Sequence, residues 1–428
     1  MSIRGYVVGD LHFGAGPSDP LEDFQDDDIF AKFCERISGP ETTLILNGDI
    51  IDFAQIQPFE VPKPAHLLWT EQASLAKLET ALNAHHDCFA ALDRLISKGG
   101  RVHFLIGNHD LDMVWPRVQA RVASALQSPP TRQLAFTVGS TVFHGVHVEH
   151  GHHFTPENCP RVPDQFVHAG PGGVPFLERV WGTDFMLRFF NQLERDYPFA
   201  DNVKPMLTLA WHGLQAGWFG GREVTRLFLF LKQRGIPWSG LSSAVLAAPP
   251  PRLTAGSAAA AFDDPQWKRA VVERAHRDSS FVVQLNEGLT ELEPNERNVA
   301  TKAEKIEVVN PRLRTDAKPA ATLGIFREDR ELRAAIDRLG GLRVTHVVFG
   351  HTHAIVDGAL KGRLFNPGTW IKNIDLDDAH VKAKIKAEGI TMEMLKDDRL
   401  YTANRRAVRI DPDPHYESKV RLVSDDAP

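Results

Sequence analysis

A chain of 428 residues is long enough for two or three domains, or for one large domain that carries an insertion. Hydrophobic residues make up 43% and charged residues 24%, which excludes wholesale disorder. Lys plus Arg total 49 against 55 for Asp plus Glu, and the formal net charge of -6 argues against non-specific nucleic-acid binding as the main role. Cys34, Cys88 and Cys159 lie too far apart for a CxxC zinc site or a disulfide framework, whereas there are 19 histidines. Any metal here would therefore be held by imidazole and carboxylate.

The chain enters an apolar strand at Tyr6 to Val8 without the basic, apolar and cleavage regions of a signal peptide. No run approaches the length of a transmembrane segment. With few cysteines, the expected location is cytoplasmic, with peripheral membrane contact left open. Further apolar runs at Thr43 to Leu46 and Val102 to Ile106 read as buried strands. Between them, Leu75, Leu78, Leu82, His85, Phe89, Leu92 and Ile96 follow a three-four spacing that predicts one helix, from Thr70 to a stop at Gly99-Gly100. Phe136 to Val148 reads as a hairpin turning at Gly139-Ser140.

The character changes after about residue 155. Helices are expected over Phe176 to Glu194 and Glu223 to Arg234. A Pro, Ala and Gly-rich connection opens at Ala248, a charged helical part runs to about Asn310, and Pro311 to Thr322 reads as a linker. The α/β pattern then resumes with a helix at Arg327 to Leu339 and strands at Val344 to Phe349, Arg363 to Phe365 and Arg405 to Ile410. The expected division is 1–155 and 325–412 as two parts of one core, 156–324 as a mostly helical insertion, and 413–428 as a C-terminal tail.

Four apolar strands end alike: Gly9-Asp10-Leu11-His12, Gly48-Asp49, Gly107-Asn108-His109-Asp110 and Gly350-His351-Thr352-His353. Functional groups of α/β sheets gather where loops leave the carboxyl ends of strands, and glycine there lets the backbone turn sharply. Asp10, His12, Asp49, Asn108, His351 and His353 would then converge. His150, in Glu149-His150-Gly151-His152, is a further candidate at a strand end. Alternation puts His144, Val146, Val148 and His150 on one strand face, and His147 with Glu149 on the other. Seven mixed oxygen and nitrogen ligands exceed the needs of one tetrahedral ion and favour two. Two ions roughly 3.5–4 Å apart would clamp an in-line phosphoryl displacement, with one bridging carboxylate and an acidified bridging water.

These five blocks, in this order, resemble those of the calcineurin-like metallophosphoesterases. The resemblance covers residues 1 to about 155 and about 325 to 412. It implies an α/β fold, a four-layer sandwich of two facing mixed sheets with helices outside, carrying a large cap insertion. It implies that Asp10, His12 and His353 bind a first metal, that Asn108, His150 and His351 bind a second, and that Asp49 bridges them. His109 would stabilise the transition state or protonate the leaving oxygen, oriented by Asp110. The cofactors implied are two divalent ions, with Mn the first expectation and Fe or Zn as alternatives.

The leading expectation is hydrolysis of a phosphomonoester, phosphodiester or pyrophosphate. Alternatives are a Mn-dependent nuclease, an enzyme resembling the UDP-diacylglucosamine hydrolases on a lipid-linked substrate, and a non-catalytic scaffold using the cap. The second alternative rests on Asn47 to Phe53; against it, that branch has Arg at the place of His109. Asp52 reads equally as an acceptor for a ligand histidine or as a helix-start residue. His152 and His153 either line the pocket or are solvated. His85, His86, His212, His276 and His380 read as ordinary helix or surface histidines. In the insertion, Trp181, Phe185, Phe189 and Phe190 form either the cap's own core or an exposed apolar face for a lipid, a membrane or a second subunit. Arg222 and Arg226 read as a solvated face or a phosphate contact.

Overall fold

The structure, a computed structural model, describes residues 3–56, 69–127, 133–152, 158, 166–178, 180, 182–183, 186–187, 191–196, 202–204, 344–375, 378–388, 391, 394, 396–413 and 418–428. The chain divides into two compact units. One comprises residues 1–187, 326–372 and 403–428, the other 188–325 and 373–402.

In the first unit the chain runs through β1 (Arg4–Val8), α1 (Asp27–Ile37), β2 (Thr42–Asn47), α2 (Glu71–Ala84), α3 (His86–Ser97), β3 (Arg101–Ile106), α4 (Pro116–Ala125) and β4 (Leu134–Val138). The four strands lie side by side and parallel, with Val7 opposite Ile45, Leu44 opposite Val102 and Val102 opposite Leu134. Both faces of these strands are buried, which is why they read as unbroken apolar runs. Tyr6, Val8, Leu44, Leu46, Val102, Phe104 and Ile106 join Phe30, Phe33, Leu78, Phe89 and Leu92 of the helices in the main core. Val7, Ile45 and Leu105 face the other way.

The single helix expected from Thr70 to Gly99 is two helices. Thr70 does start the first, its hydroxyl accepting from Ala73 N at 3.3 Å. The break is at His85, which leaves helical geometry at φ -108° and ψ 38°. Its ring is held on both edges, Nδ1 at 3.0 Å from Asp27 and Nε2 at 3.2 Å from Glu22, and stacks on Phe13. Fixed partners on both nitrogens explain the break. His85 is thus fully buried rather than an ordinary helix or surface histidine, while His86 and His380 are exposed.

The hairpin expected at Gly139-Ser140 lies elsewhere. β4 stays with β3, and the chain crosses at Gly139 into a second sheet. There β5 (Ser140–Phe143) pairs with β6 (Val146–Glu149), turning at His144 and Gly145, whose φ values are 49° and 80°. Two consecutive positive φ values fit the turn that matches strand twist in two-residue hairpins. His144 is therefore a turn residue, not a strand residue.

Next, β7 (Val167–Ala169) pairs antiparallel with β8 (Pro175–Leu177). Phe176, expected to open a helix, instead sits opposite His168 in this ribbon; of the rest of the expected span, 182–183 and 186–187 are helical and α5 begins at Asn191, running Asn191–Asp196. The expected helix at 223–234, the connections at 248–322, the aromatic set 181, 185, 189 and 190, and Arg222, Arg226, His153, His212 and His276 lie outside the described residues. In the second unit, β9 (Val203–Lys204) pairs with a later strand described below.

Returning to the first unit, β10 (His346–Val348) lies parallel to β6 and to β12 (Leu364–Pro367), with β11 (Ile355–Gly358) antiparallel at the edge. The five-stranded order is β11-β12-β10-β6-β5. β13 (Ile374–Asp375) is the partner of β9, and with α6 (Ala379–Glu388) it builds the second unit's small core of Val203, Ile374, Val381, Met394 and Leu400. β14 (Arg406–Asp411) and β15 (Lys419–Ser424) complete the first sheet in the order β15-β14-β1-β2-β3-β4. The expected C-terminal tail thus contributes an edge strand, paired along its length from Arg406–Ser424 to Asp411–Lys419.

The two sheets face each other. Val7, Ile45, Leu105, Val408 and Ile410 pack on Val146, Val148, Val348 and Phe365. Each such side chain contributes about 1.5–3 kcal/mol by leaving water. Helices cover the outer face of the six-stranded sheet, and on the far face of the five-stranded sheet a short helix, Ala359–Gly362, sets Ala359 against Val347, Phe349 and Leu364. The helix expected over 327–339 lies outside the described residues.

Candidate metal centre

The carboxyl ends of β1, β2, β3, β6 and β10 deliver Asp10, Asp49, Asn108, His150 and His351 to one place. The backbone there is unusual. Asp10, His12, Asp49, His351 and His353 have φ of 52°, 52°, 51°, 66° and 57°. Left-handed geometry on a non-glycine residue costs of order 1–3 kcal/mol, and persists where the surroundings over-determine it, typically at functional sites. So the sharp turns expected of the glycines are made mainly by the ligand candidates themselves. Gly48 alone of the four turns with positive φ, at 78°, and a Cβ on it would lie 2.5 Å from the His150 ring. Gly107 acts by absence of bulk: a Cβ there would collide with the Asp49 carboxylate.

One half of the site gathers Asp10, His12 and His353. Asp10 is fully buried, and its two oxygens accept from His351 N–H at 3.0 and 3.1 Å. His353 Nε2 stands 3.4 Å from Asp10 Oδ1 and 3.2 Å from His12 Nε2. His12 Nδ1 meets Asp52 Oδ2 at 2.9 Å and donates to it, which turns Nε2 toward His353. Burial, with the Asp49 charge adding to it and the imidazoles opposing, pushes the Asp10 carboxyl up to about 6.

The other half gathers Asp49, His150 and His351, with Asn108. His150 Nδ1 donates to the Asn47 carbonyl at 2.8 Å. Its Nε2 then faces two acceptors, Asp49 Oδ2 at 3.0 Å and Asn108 Oδ1 at 3.2 Å. With Nδ1 donating, a neutral ring would turn the Nε2 lone pair toward the Asp49 carboxylate, a contact that a proton or a metal ion relieves. In the protein alone a proton serves: burial pulls His150 down, but the Asp49 charge outweighs it and raises the imidazole to about 9. His351 is driven down to about 3 by burial and by the charge of His150. Burial would raise Asp49, yet the charges of His150 and His109 hold it well below the usual carboxylate range. A divalent ion in each half fits this donor set.

His109 adjoins both halves: its backbone N–H donates to Asp49 Oδ1 at 2.9 Å, and its ring lies edge-on to His12. Its orienting carboxylate is Asp52, at 2.7 Å from Nδ1, and not Asp110. Asp110 is turned into the fold, where its oxygens accept from Gly107 N–H and from Ile50 N–H at 2.9 Å. Burial and the Asp49 charge push Asp110 up to about 7. Asp52 satisfies both of its sequence readings. One oxygen takes the two histidines and the other accepts from Ala54 N and Gln55 N at 3.1 and 3.0 Å, as a turn-start residue does. Burial opposes the charge on Asp52, but His109 and His12 hold it low. Burial likewise pulls His109 down, and the Asp52 and Asp49 charges override it to about 10.

Sequence reasoning missed the Asn47 carbonyl, since a main-chain acceptor carries no residue signature. It also missed Asn158, whose side-chain Nδ2 stands 3.3 Å from His351 Nε2. His152, left open between pocket and solvent, is buried with its ring 5.4 Å from that of His150.

Three His and carboxylate groups gather at the strand ends of the paired sheets, the third being His12, Asp52 and His109, a donor set suited to a metal-dependent hydrolase. The profile of the calcineurin-like phosphoesterases matches residues 3–238, over half of the chain, and the protein belongs to that family, whose members hydrolyse phosphoesters with metal ions. The match stops short of Gly350 to His353, which the fold nevertheless joins to Asp10. A comparison with curated proteins returns no match. Among the described residues no helix is long and apolar enough to cross a membrane.

Proposed function

We propose that Asp10, His12 and His353 hold one divalent ion, that Asn108, His150 and His351 hold a second, and that Asp49 bridges them. The carrying observation is the convergence of His150 Nε2 with Asp49 Oδ2 at 3.0 Å and Asn108 Oδ1 at 3.2 Å, beside the second group of Asp10, His12 and His353. The reaction is hydrolysis of a phosphomonoester, phosphodiester or pyrophosphate. The ions supply charge neutralisation at the phosphate and a water acidified toward neutral pH. His109 acts at the substrate: with Nδ1–H held by Asp52, its Nε2 presents a proton to the leaving oxygen or to the charged phosphoryl oxygens. Asp52 is a positioning residue that fixes His109 and His12 together. Asp110 positions the Gly107 to His109 loop from below through its two backbone hydrogen bonds.

Two carboxylates, an amide oxygen and four imidazoles accommodate Mn, Fe or Zn, and Mn is the ion we take first. We read the fold as a four-layer sandwich and residues 156–324 as a cap that selects substrate. The insertion leaves and rejoins the core between the strands that carry His150 and His351, which supports that reading. The test is turnover by metal-free protein reconstituted with Mn. The substrates are bis-p-nitrophenyl phosphate, a phosphomonoester, a nucleotide-linked diphosphate and single-stranded DNA. Mn-dependent turnover of at least one, abolished by chelator, is expected; activity indifferent to chelator contradicts the proposal.

A further inference from the structure

Each ligand histidine whose ring is tied down follows one rule. One nitrogen faces the ion site and the other is held by a fixed acceptor, Asp52 for His12 and the Asn47 carbonyl for His150. Such partners fix the ring and its tautomer, and losing one costs roughly 10- to 100-fold in metal affinity. At His351 the amide Nδ2 of Asn158 stands 3.3 Å from Nε2. Two ring nitrogens cannot both give lone pairs in a neutral imidazole, so a ligating His351 carries N–H on the nitrogen that does not bind the ion. Amide nitrogen and oxygen occupy equivalent places on either side of Cγ, so a half-turn of the Asn158 amide sets Oδ1 on that N–H.

Asn158 differs from the other two partners in origin. Asp52 and Asn47 belong to the loop and strand around β2, whereas Asn158 lies eight positions beyond His150 on the inserted segment. His152, at the end of the core segment that leads to Asn158, sets its buried ring 5.4 Å from His150 and 6.5 Å from His351. Asn158 is thus the point at which the inserted segment meets the second ion's half of the site.

Resting on the two-ion reading above, we propose that Asn158 is a positioning residue for the second ion, accepting through Oδ1 from His351 Nε2–H and leaving Nδ1 of that ring for the metal. The affinity of the second site is then set in part by the insertion and not by the core alone.

The test is calorimetric titration of Mn into metal-free full-length protein, with Asn158→Ala and Asn158→Asp beside the wild type. Wild-type protein should bind two ions. Asn158→Ala should weaken one of them roughly 10- to 100-fold and leave the other unchanged. Asn158→Asp keeps the acceptor and should restore the weakened step. Wild-type affinity for both ions in Asn158→Ala, equal weakening of both, or no restoration by Asn158→Asp would overturn the assignment. Failure of the wild type to bind two ions would instead overturn the two-ion reading. Thermal melts of the three metal-free proteins should coincide, since Asn158 sits half-buried in a turn.

Discussion

The two halves of the metal centre are built differently. Around Asp10, His12 and His353, the support is a buried carboxylate: Asp52 fixes His12 and, through the same oxygen, His109. Around Asn108, His150 and His351, the support is neutral, a backbone carbonyl on one ring and a side-chain amide on the other. A charged partner makes a ligand imidazole more basic than a neutral one does. The first half should therefore hold its ion more tightly, and through Asp52 it is also the half joined to His109, the histidine proposed to act on the leaving group. The second half should be the looser one.

The largest expected effect comes from Asp52→Asn. The new amide can keep the Ala54 and Gln55 hydrogen bonds through its oxygen, but its NH₂ then faces two imidazole N–H groups. Turnover should fall about 100-fold, and the first ion should bind roughly 10- to 100-fold more weakly. The second ion's affinity should hold. Metal titration alongside steady-state kinetics checks this, and equal loss at both ions would dissolve the distinction between the halves.

A smaller effect is expected with pH. His109 is raised to about 10 in the metal-free protein, with burial overridden by the Asp52 and Asp49 charges. Because the folded value lies above the ordinary 6.5, its ion pair with Asp52 stabilises the fold fully below about pH 6.5 and is lost as pH rises through about 10. Two bound cations can only lower the folded value. The acid-requiring step should therefore fade above a limit at or below about pH 10, at roughly tenfold per unit. In His109→Gln that alkaline slope should vanish from the rate profile, leaving a low and flat residual rate. A slope unchanged in His109→Gln would assign the limb to another group.

Much of this site could be read from residues alone, because strand ends followed by short polar blocks are local signals. Asp10, His12, Asp49, Asn108, His150, His351 and His353 are all brought to one place. What escaped depended on tertiary partners. Asp110 follows His109 in sequence, but a side chain one position away on a tight loop points elsewhere, and the carboxylate that reaches His109 comes from the β2 loop. His85 fitted an apolar helical spacing, yet two carboxylates from the Leu21 to Asp27 region capture its ring and end the helix. The Gly139 turn looked like a hairpin because the parallel partner of β4 is over 30 residues upstream. Residues beyond 412 looked like a tail because the alternation of Lys419, Val420, Arg421 and Leu422 is short, and it becomes a strand only through its pairing with β14.

The central claim, two ions in adjacent halves joined by Asp49, is tested most directly by electron paramagnetic resonance of Mn-loaded protein. Two equivalents of Mn should give the many-line spectrum of an exchange-coupled pair, and Asp49→Asn should reduce it to the six-line spectrum of isolated ions. A six-line spectrum from the fully loaded wild type would contradict the account.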